Sequence, residues 1–423
     1  FRADGSSKFA PSHRWGYFPS VGAGWVMSEE NFMSSTKSFL DYLKLKMSWG
    51  QLGNDKIGNY LWLPTINPIG QQVIIDGQTY YIPLADYQVD KNIHWEVMSG
   101  FDVGVDAKFF GNRLSAEIGY YIKTTRDLLA HVSPSVTVGG GYAITNAGSI
   151  RNSGFEFMLN WNDQIGDLQY GVSLNGSTLN NEVLELGDNN SDIVYNYHRT
   201  SVGHSIGSFY GYIQDGIFQN EEEIKAYDKA TSWENRPGDI RYKDLNGDGK
   251  ISDKDRTFIG NPMPKFMYGL NLNLSYKGFD FSVDMNGVYG NKILNKKKLS
   301  DFTIFNFYES TLGRWHGEGT SSFEPILDNT RSHNFLPSTN LLENGSYFRI
   351  RGVQLGYTLP KDILKKMKVS KIRFYANVQN LYTFKKNTGF TPEVGGSILE
   401  GGVDNGDTYP IPTTVTAGLS FNF

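Results

Sequence analysis

The run Phe266-Met-Tyr-Gly-Leu-Asn-Leu-Asn-Leu-Ser-Tyr276, closed by Lys277-Gly278 and answered by Phe279-Asp-Phe-Ser-Val-Asp-Met285, decides the fold. In an extended chain Phe266, Tyr268, Leu270, Leu272, Leu274 and Tyr276 share one face, while Met267, Gly269, Asn271, Asn273 and Ser275 share the other. A period of two marks a β-strand with one apolar face. About ten residues is the length that a tilted strand needs to cross a bilayer, whereas soluble strands average about five or six.

The pattern recurs at Phe101/Val103/Val105/Ala107/Phe109, Leu114/Ala116/Ile118/Tyr120/Ile122, Phe155/Phe157/Leu159/Trp161 and Leu168/Tyr170/Val172/Leu174. Following it predicts strands near 15–27, 43–52, 95–109, 114–129, 150–162, 168–179, 265–276, 279–289, 347–359, 371–382 and 412–423. The last is in phase through Val415, Ala417, Leu419, Phe421 and Phe423, an aromatic ending usual in outer-membrane barrels. Connections at 110–113, 163–167 and 277–278 are tight, while about 53–94, 130–148, 180–264, 291–345 and 383–409 are long and rich in Gly, Asn, Asp and Tyr. Short periplasmic turns opposite long extracellular loops are a barrel asymmetry. Residues 209–218 also read as extended and are expected to form a hairpin inside the 180–264 extracellular loop, because one more crossing would put 277–278 on the wrong side.

Composition narrows the classes. With no Cys, disulfides, thiolate metal sites and Cys nucleophiles are excluded. A net charge of −4 gives no general attraction to nucleic acid. No stretch reaches the roughly 18 apolar residues of a membrane helix, and the mean hydropathy of −0.40 is compatible with a barrel, in which only alternate residues meet lipid. The chain opens on Phe1 without Met or a leader, so any targeting segment is expected upstream.

About eleven strands is an odd number, and an open edge in lipid leaves backbone groups unpaired at several kcal/mol each. The expected fold is therefore all-β: the C-terminal half of an antiparallel transmembrane barrel of about 22 strands, spanning residues 1–423.

Several runs resemble the SusC/RagA-like TonB-dependent outer-membrane transporters of Bacteroidetes. They are Arg2-Ala-Asp-Gly-Ser-Ser-Lys-Phe9, Arg14-Trp-Gly-Tyr-Phe-Pro-Ser20 through Trp25, Glu29-Glu-Asn-Phe32, Leu45-Lys-Met-Ser-Trp-Gly-Gln-Leu-Gly-Asn54 and Trp95-Glu96. Next come Tyr120-Tyr-Ile-Lys-Thr-Thr-Arg-Asp-Leu-Leu129, Gly148-Ser-Ile-Arg-Asn-Ser-Gly-Phe-Glu156 and Pro237-Gly-Asp-Ile-Arg-Tyr-Lys-Asp244. Asp255-Arg-Thr257, Ile259-Gly-Asn-Pro262 and Leu355-Gly-Tyr-Thr-Leu-Pro360 complete the set, in family order from end to end. The resemblance implies a longer polypeptide carrying a signal peptide, an energy-coupling segment and a plug, none of which is visible here. It also implies outer-membrane localisation and coupling to TonB-ExbB-ExbD through that missing part. The partner would be a SusD-like surface lipoprotein and the usual cargo an oligosaccharide, with peptides as the departure.

Asp244-Leu-Asn-Gly-Asp-Gly-Lys-Ile-Ser-Asp-Lys-Asp255 is the sharpest local motif. Asp244, Asn246 and Asp248 occupy calcium-loop positions 1, 3 and 5, and Gly249 supplies the turn at 6. The Lys250 carbonyl, Ser252 and Asp255 fall at 7, 9 and 12. Ca2+ as a staple of this loop stands beside a loop whose Asp and Asn side chains cap its own backbone. Gly203-His-Ser-Ile-Gly207 matches a nucleophile-elbow string but lacks the strand-turn-helix setting, so no enzyme is expected.

Trp62, Tyr80, Tyr81 and Tyr87, Tyr195 and Tyr197, and Phe305, Phe307, Tyr308 and Trp315 gather in three long loops. Sugar rings present apolar C–H faces, so Trp62, Tyr80, Tyr81, Arg314 and Trp315 are candidate ligand contacts; the alternative is that such aromatics pack loops or form girdles. Lys296-Lys-Lys298 is expected to face solvent or lipopolysaccharide phosphates. A secreted calcium-dependent carbohydrate-binding or adhesin protein of soluble β-sandwiches accounts for the aromatics and the calcium string, but not for the long strands or the alternating connections.

Overall fold

A computed structural model describes residues 1–64, 66–85, 89–132, 143–187, 190–299 and 307–422; Tyr87, Phe305 and Phe423 lie outside them. Eleven long strands carry the alternation. They are β1 (Ser20–Val26), β2 (Leu40–Asn54), β3 (Glu96–Phe109), β4 (Leu114–Arg126), β5 (Ser149–Ile165), β6 (Leu168–Thr178), β7 (Phe266–Tyr276), β8 (Phe279–Tyr289), β9 (Tyr347–Thr358), β10 (Lys371–Lys385) and β11 (Thr414–Asn422). Their connections alternate as expected: 27–39, 110–113, 166–167, 277–278 and 359–370 are short, and the others are long.

The chain divides into two compact units. The first holds residues 1–161, 175–192 and 201–205, and the second 162–174, 193–200 and 206–423, so β5 and β6 each contribute to both.

In the first unit β1 to β5 pair antiparallel with their sequence neighbours, in a register that keeps like faces together. Met47 lies opposite Val103, Val103 opposite Tyr120 and Tyr120 opposite Phe155. One residue along, Lys46, Gly104, Gly119 and Glu156 form a polar row.

The second unit repeats this logic from β7 to β11. Leu272, Val283, Val353, Val378 and Val415 form one apolar row, and Asn273, Ser282, Gln354, Asn377 and Thr416 the adjacent polar one. A one-residue slip would exchange the two faces, so the pattern pins the register. The turn between β7 and β8 has Lys277 at φ 42° and Gly278 at φ 88°, as a two-residue primed hairpin requires. A Cβ at Gly278 would also meet the Thr358 carbonyl oxygen at 2.7 Å.

Among the described residues the apolar rows are only partly covered: Val415 is 73% exposed and Phe155 57%, while Leu272, Val283, Val353 and Val378 are half-buried. Aromatic pairs bound them in the second unit. Phe266 stacks on Tyr268, Tyr268 on Phe348 and Phe348 on Phe384, at centroid separations of 5.6, 6.3 and 6.0 Å. At the other end Phe279 packs on Tyr357 at 4.5 Å. From Tyr268 to Tyr276 the strand rises about 27 Å, or roughly 21 Å across a bilayer at a ~40° tilt, close to the ~25 Å apolar band of outer-membrane barrels.

Three expectations need correction. The strand at 15–27 breaks at Pro19: Trp15–Phe18 pairs with Arg2–Gly5, and β1 starts at Ser20. Proline has no N–H for a ladder, although its carbonyl accepts from the Gln51 amide at 2.9 Å.

Residues 209–218 form no hairpin. Ser208–Gly211 pairs with His198–Thr200 and Thr257–Gly260, whereas Gln214–Ile217 pairs with Ile240–Tyr242. The chain changes partners because the Tyr212 amide donates to Pro337 at 2.8 Å and its carbonyl accepts from Thr339 at 3.0 Å.

Lys297 and Lys298 turn inward rather than toward solvent or lipopolysaccharide. Their partners are Asp404 at 2.7 Å and Glu324 at 2.5 Å.

Candidate functional site

The long loops of the second unit build their own cores. Tyr212, Ile217, Ile240, Tyr242 and Ile251 are buried together, with Tyr227, Trp233, Trp315 and Leu336 packed against them. Phe209, Leu294 and Leu341 form another. Between loop segments lies a buried charge knot on Asp239, which is fully enclosed. Arg331 grips both carboxylate oxygens, with its Nε 3.0 Å from Oδ1. The Asn334 amide group donates to Oδ1 at 3.0 Å and the Arg236 backbone amide to Oδ2 at 2.8 Å. His333 Nε2 lies 3.1 Å from Oδ2, and its ring stacks on Trp233 at 5.2 Å with 6° between planes. Burial opposes ionisation of Asp239, but His333, Arg331 and the Arg236 amide outweigh it and hold the carboxyl at about 2. Asp239 belongs to the Pro237 to Asp244 run; nothing in the sequence marked Arg331, 92 residues away, as its partner.

Directly after this run comes the 244–255 loop. Asp244 accepts from the Gly247 and Gly249 amides at 2.8 and 3.0 Å, and Asn246 from the Asp248 amide at 2.9 Å. Asp248 accepts from the Lys250 amide at 2.9 Å. Asp255, fully buried, accepts from the Leu245 and Ser252 amides at 3.0 and 2.8 Å, and Ser252 Oγ from the Lys254 amide at 3.3 Å. Gly247 and Gly249 take φ of 72° and 77°, which lets the loop wind around these carboxylates. Burial works against the Asp244 charge, but the Gly249 and Gly247 amides prevail and lower its pKa. The donors expected to face a cation thus already bind the loop's backbone. Among the described residues no group of three or more His, Asp or Glu is arranged to hold a metal.

The predicted ligand contacts fall in different settings. Trp62 packs against the buried cluster of Phe9, Phe18, Ile93 and Trp95. Tyr80 and Tyr81, 48% and 52% exposed, sit on Gln78–Ala85, which pairs with Ile66–Ile75. Trp315 is a packing residue: its Nε1 donates to Gln219 at 3.3 Å, and its ring fills the space where a Gly238 Cβ would lie. Arg314, beside it, lines a cavity of about 440 Å³ in the second unit. Lys298, Tyr308, Glu309, Ile326 and Leu327 contribute further walls. At the elbow-like string, Gly203 and Gly207 take positive φ, and a short strand rather than a helix follows.

A family model described as "TonB dependent receptor-like, beta-barrel" matches residues 1–381. The whole chain is 31% identical over 450 aligned residues to TonB-dependent receptor P3 of Formosa agariphila, covering 43% of that protein. It is 30% identical over 453 to TonB-dependent receptor SusC of Bacteroides thetaiotaomicron, covering 41%. Among solved structures, the RagAB peptide importer in its closed-closed state superposes on 100% of this chain and 45% of its own, with a TM-score of 0.80 and 25% identity. The chain therefore spans less than half the length of these relatives.

Proposed function

Because this chain belongs to the family of TonB-dependent receptor-like β-barrels, an outer-membrane family of receptors and not of enzymes, we propose that it forms wall and loops of a nutrient importer. The observation that carries the reading is the set of partly exposed apolar rows, bounded by aromatic pairs and alternating with polar rows, which supports a wall with one face toward lipid and the other toward a passage. TonB-ExbB-ExbD would supply energy through the rest of the polypeptide, and a SusD-like lipoprotein would cap the extracellular loops.

An oligosaccharide is the first cargo reading. The exposed Tyr80 and Tyr81 support it, since they remain open to stack on a sugar ring. A peptide is the second, supported by the likeness to RagAB, a peptide importer. Uptake of labelled oligosaccharide and labelled oligopeptide pools, in cells with and without the intact gene and with TonB disabled, separates the two. Uptake unaffected by either deletion would end the importer reading. The lipoprotein partner is tested by co-purification from detergent-solubilised outer membranes.

Calcium in the 244–255 loop belongs to the same proposal. The ligand order of Asp244, Asn246, Asp248, the Lys250 carbonyl, Ser252 and Asp255 supports it, although a cation must compete with the loop's amides.

A further inference from the structure

The lining of the cavity beside Arg314 includes Pro325, Ile326, Leu327, Phe335 and Leu341. Leu341 is almost fully buried and belongs to a loop core, so that part of the lining is fixed. Its charged residues are Lys297, Lys298, Glu309, Arg314 and Glu324. The two lysines are spent inside the protein: Lys297 on Asp404, and Lys298 on Glu324 and the Asn340 carbonyl. Arg314 donates one N–H to the Thr311 carbonyl at 3.1 Å. Neither Arg314 nor Glu309 has an ion pair among the described residues.

A guanidinium has five N–H donors, and its planar fork matches a carboxylate in two parallel hydrogen bonds. The cavity thus offers a cation and an anion without an ion pair among the described residues, beside an apolar patch of Pro325, Ile326, Leu327, Phe335 and Leu341 in a lining otherwise rich in Asn and Thr. Its volume of about 440 Å³ lies within the range of small-ligand sites. A neutral sugar could take hydrogen bonds from Asn295, Asn334, Asn340, Thr311 and Thr388 in the same lining, but it brings no charge of its own to meet Arg314 and Glu309. A short peptide matches each part: carboxylate to Arg314, ammonium or amide to Glu309, and an apolar side chain on Ile326 and Leu327. The geometry points to this cavity as a receptor for the free carboxylate of a short apolar peptide, with Arg314 as the residue that selects it. The inference rests on the import reading and fixes the cargo class for this one site.

The test uses the full-length transporter in detergent, titrated calorimetrically with trileucine, with trileucine amide and with tetragalacturonate. Trileucine should bind, and its amide should bind about tenfold more weakly or worse, the scale of a lost charge-assisted pair. Arg314→Gln should reduce trileucine to the level of the amide while leaving the amide unchanged, and Arg314→Lys should recover part of the difference. Leu327→Ala should weaken acid and amide alike. Unchanged heat-modifiability in detergent certifies that each variant is folded. Equal binding of acid and amide overturns the proposal, as does tighter binding of tetragalacturonate, or no peptide binding at millimolar concentration. If peptide binding fails while TonB-dependent uptake of some nutrient persists in cells, the cavity assignment falls and the importer stands; loss of both removes the importer as well.

Discussion

Leu272→Arg in β7 tests the wall directly. Leu272 lies four residues from Tyr268 and four from Tyr276, about 13 Å along the strand from each aromatic boundary, and so at the middle of the apolar band. It faces Val283 across the β7–β8 pair, in a row continuing through Val353, Val378 and Val415. An arginine at the midplane of a lipid-facing strand costs about 2–4 kcal/mol, a factor of roughly 30 to 1,000 in the folding equilibrium. Asn271, one residue earlier, lies opposite Asp284 on the polar row. Arg at position 271 lies within cross-strand reach of that carboxylate, so its effect should stay within about 1 kcal/mol. Urea titration of the full-length protein refolded into lipid vesicles measures both, and Val378→Arg, in the same row as Leu272, should match the Leu272 value. Equal penalties at 271 and 272, or a larger one at 271, would refute the assignment of faces.

Arg331→Leu should destabilise the second unit's loops by about 3–5 kcal/mol, because it strands the Asp239 carboxylate in a buried site; protease nicking near residues 193–265 reports it, and adding Asp239→Asn should restore at least half. The folded pKa of Asp239, about 2, lies below its unfolded value of about 3.9. Its contribution is therefore complete above about pH 4 and lost as pH falls toward 2, seen as a rise in pepsin susceptibility that Asp239→Asn lacks. Trp315→Ala should cost up to about 3 kcal/mol, below the fully buried case because Trp315 is half-buried, and lower outer-membrane abundance, whereas Tyr81→Ala should change stability by less than about 0.5 kcal/mol. Calcium at about 1 mM should slow proteolysis of the 244–255 loop in wild type but not in Asp248→Ala; an unresponsive wild type would leave the loop to its own hydrogen bonds.

The wall was legible because each strand states its own face. Leu270, Leu272 and Leu274 need no knowledge of a partner to be placed, and the all-β, partial-barrel reading with eleven long strands stands. The failures share one cause, which is that side-chain roles in the loops depend on distant partners. Lys297 reads as a surface charge until Asp404, 107 residues later, comes to 2.7 Å. Trp315 reads equally as a ligand platform or as loop packing until Gly238 and Gln219 are seen against it. Pro19 was the exception, a local signal that the alternation on both sides concealed.

Three of the long loops in the second unit are joined by bonds that no single loop can supply. Asp239 in the first takes Arg331 from the second. The second gives Lys297 to Asp404 in the third, which returns to the first through the Gly401 carbonyl and His198 Nε2 at 2.9 Å. Exchange of any one loop between related proteins by recombination would leave at least one buried charge without its mate. New specificities in this lineage should therefore be inherited with all three loops as a block, or arise by point changes at side chains without an ion pair among the described residues, such as Glu309. Chimeras cut at single loops should be rare among its descendants, however freely its strands are shared.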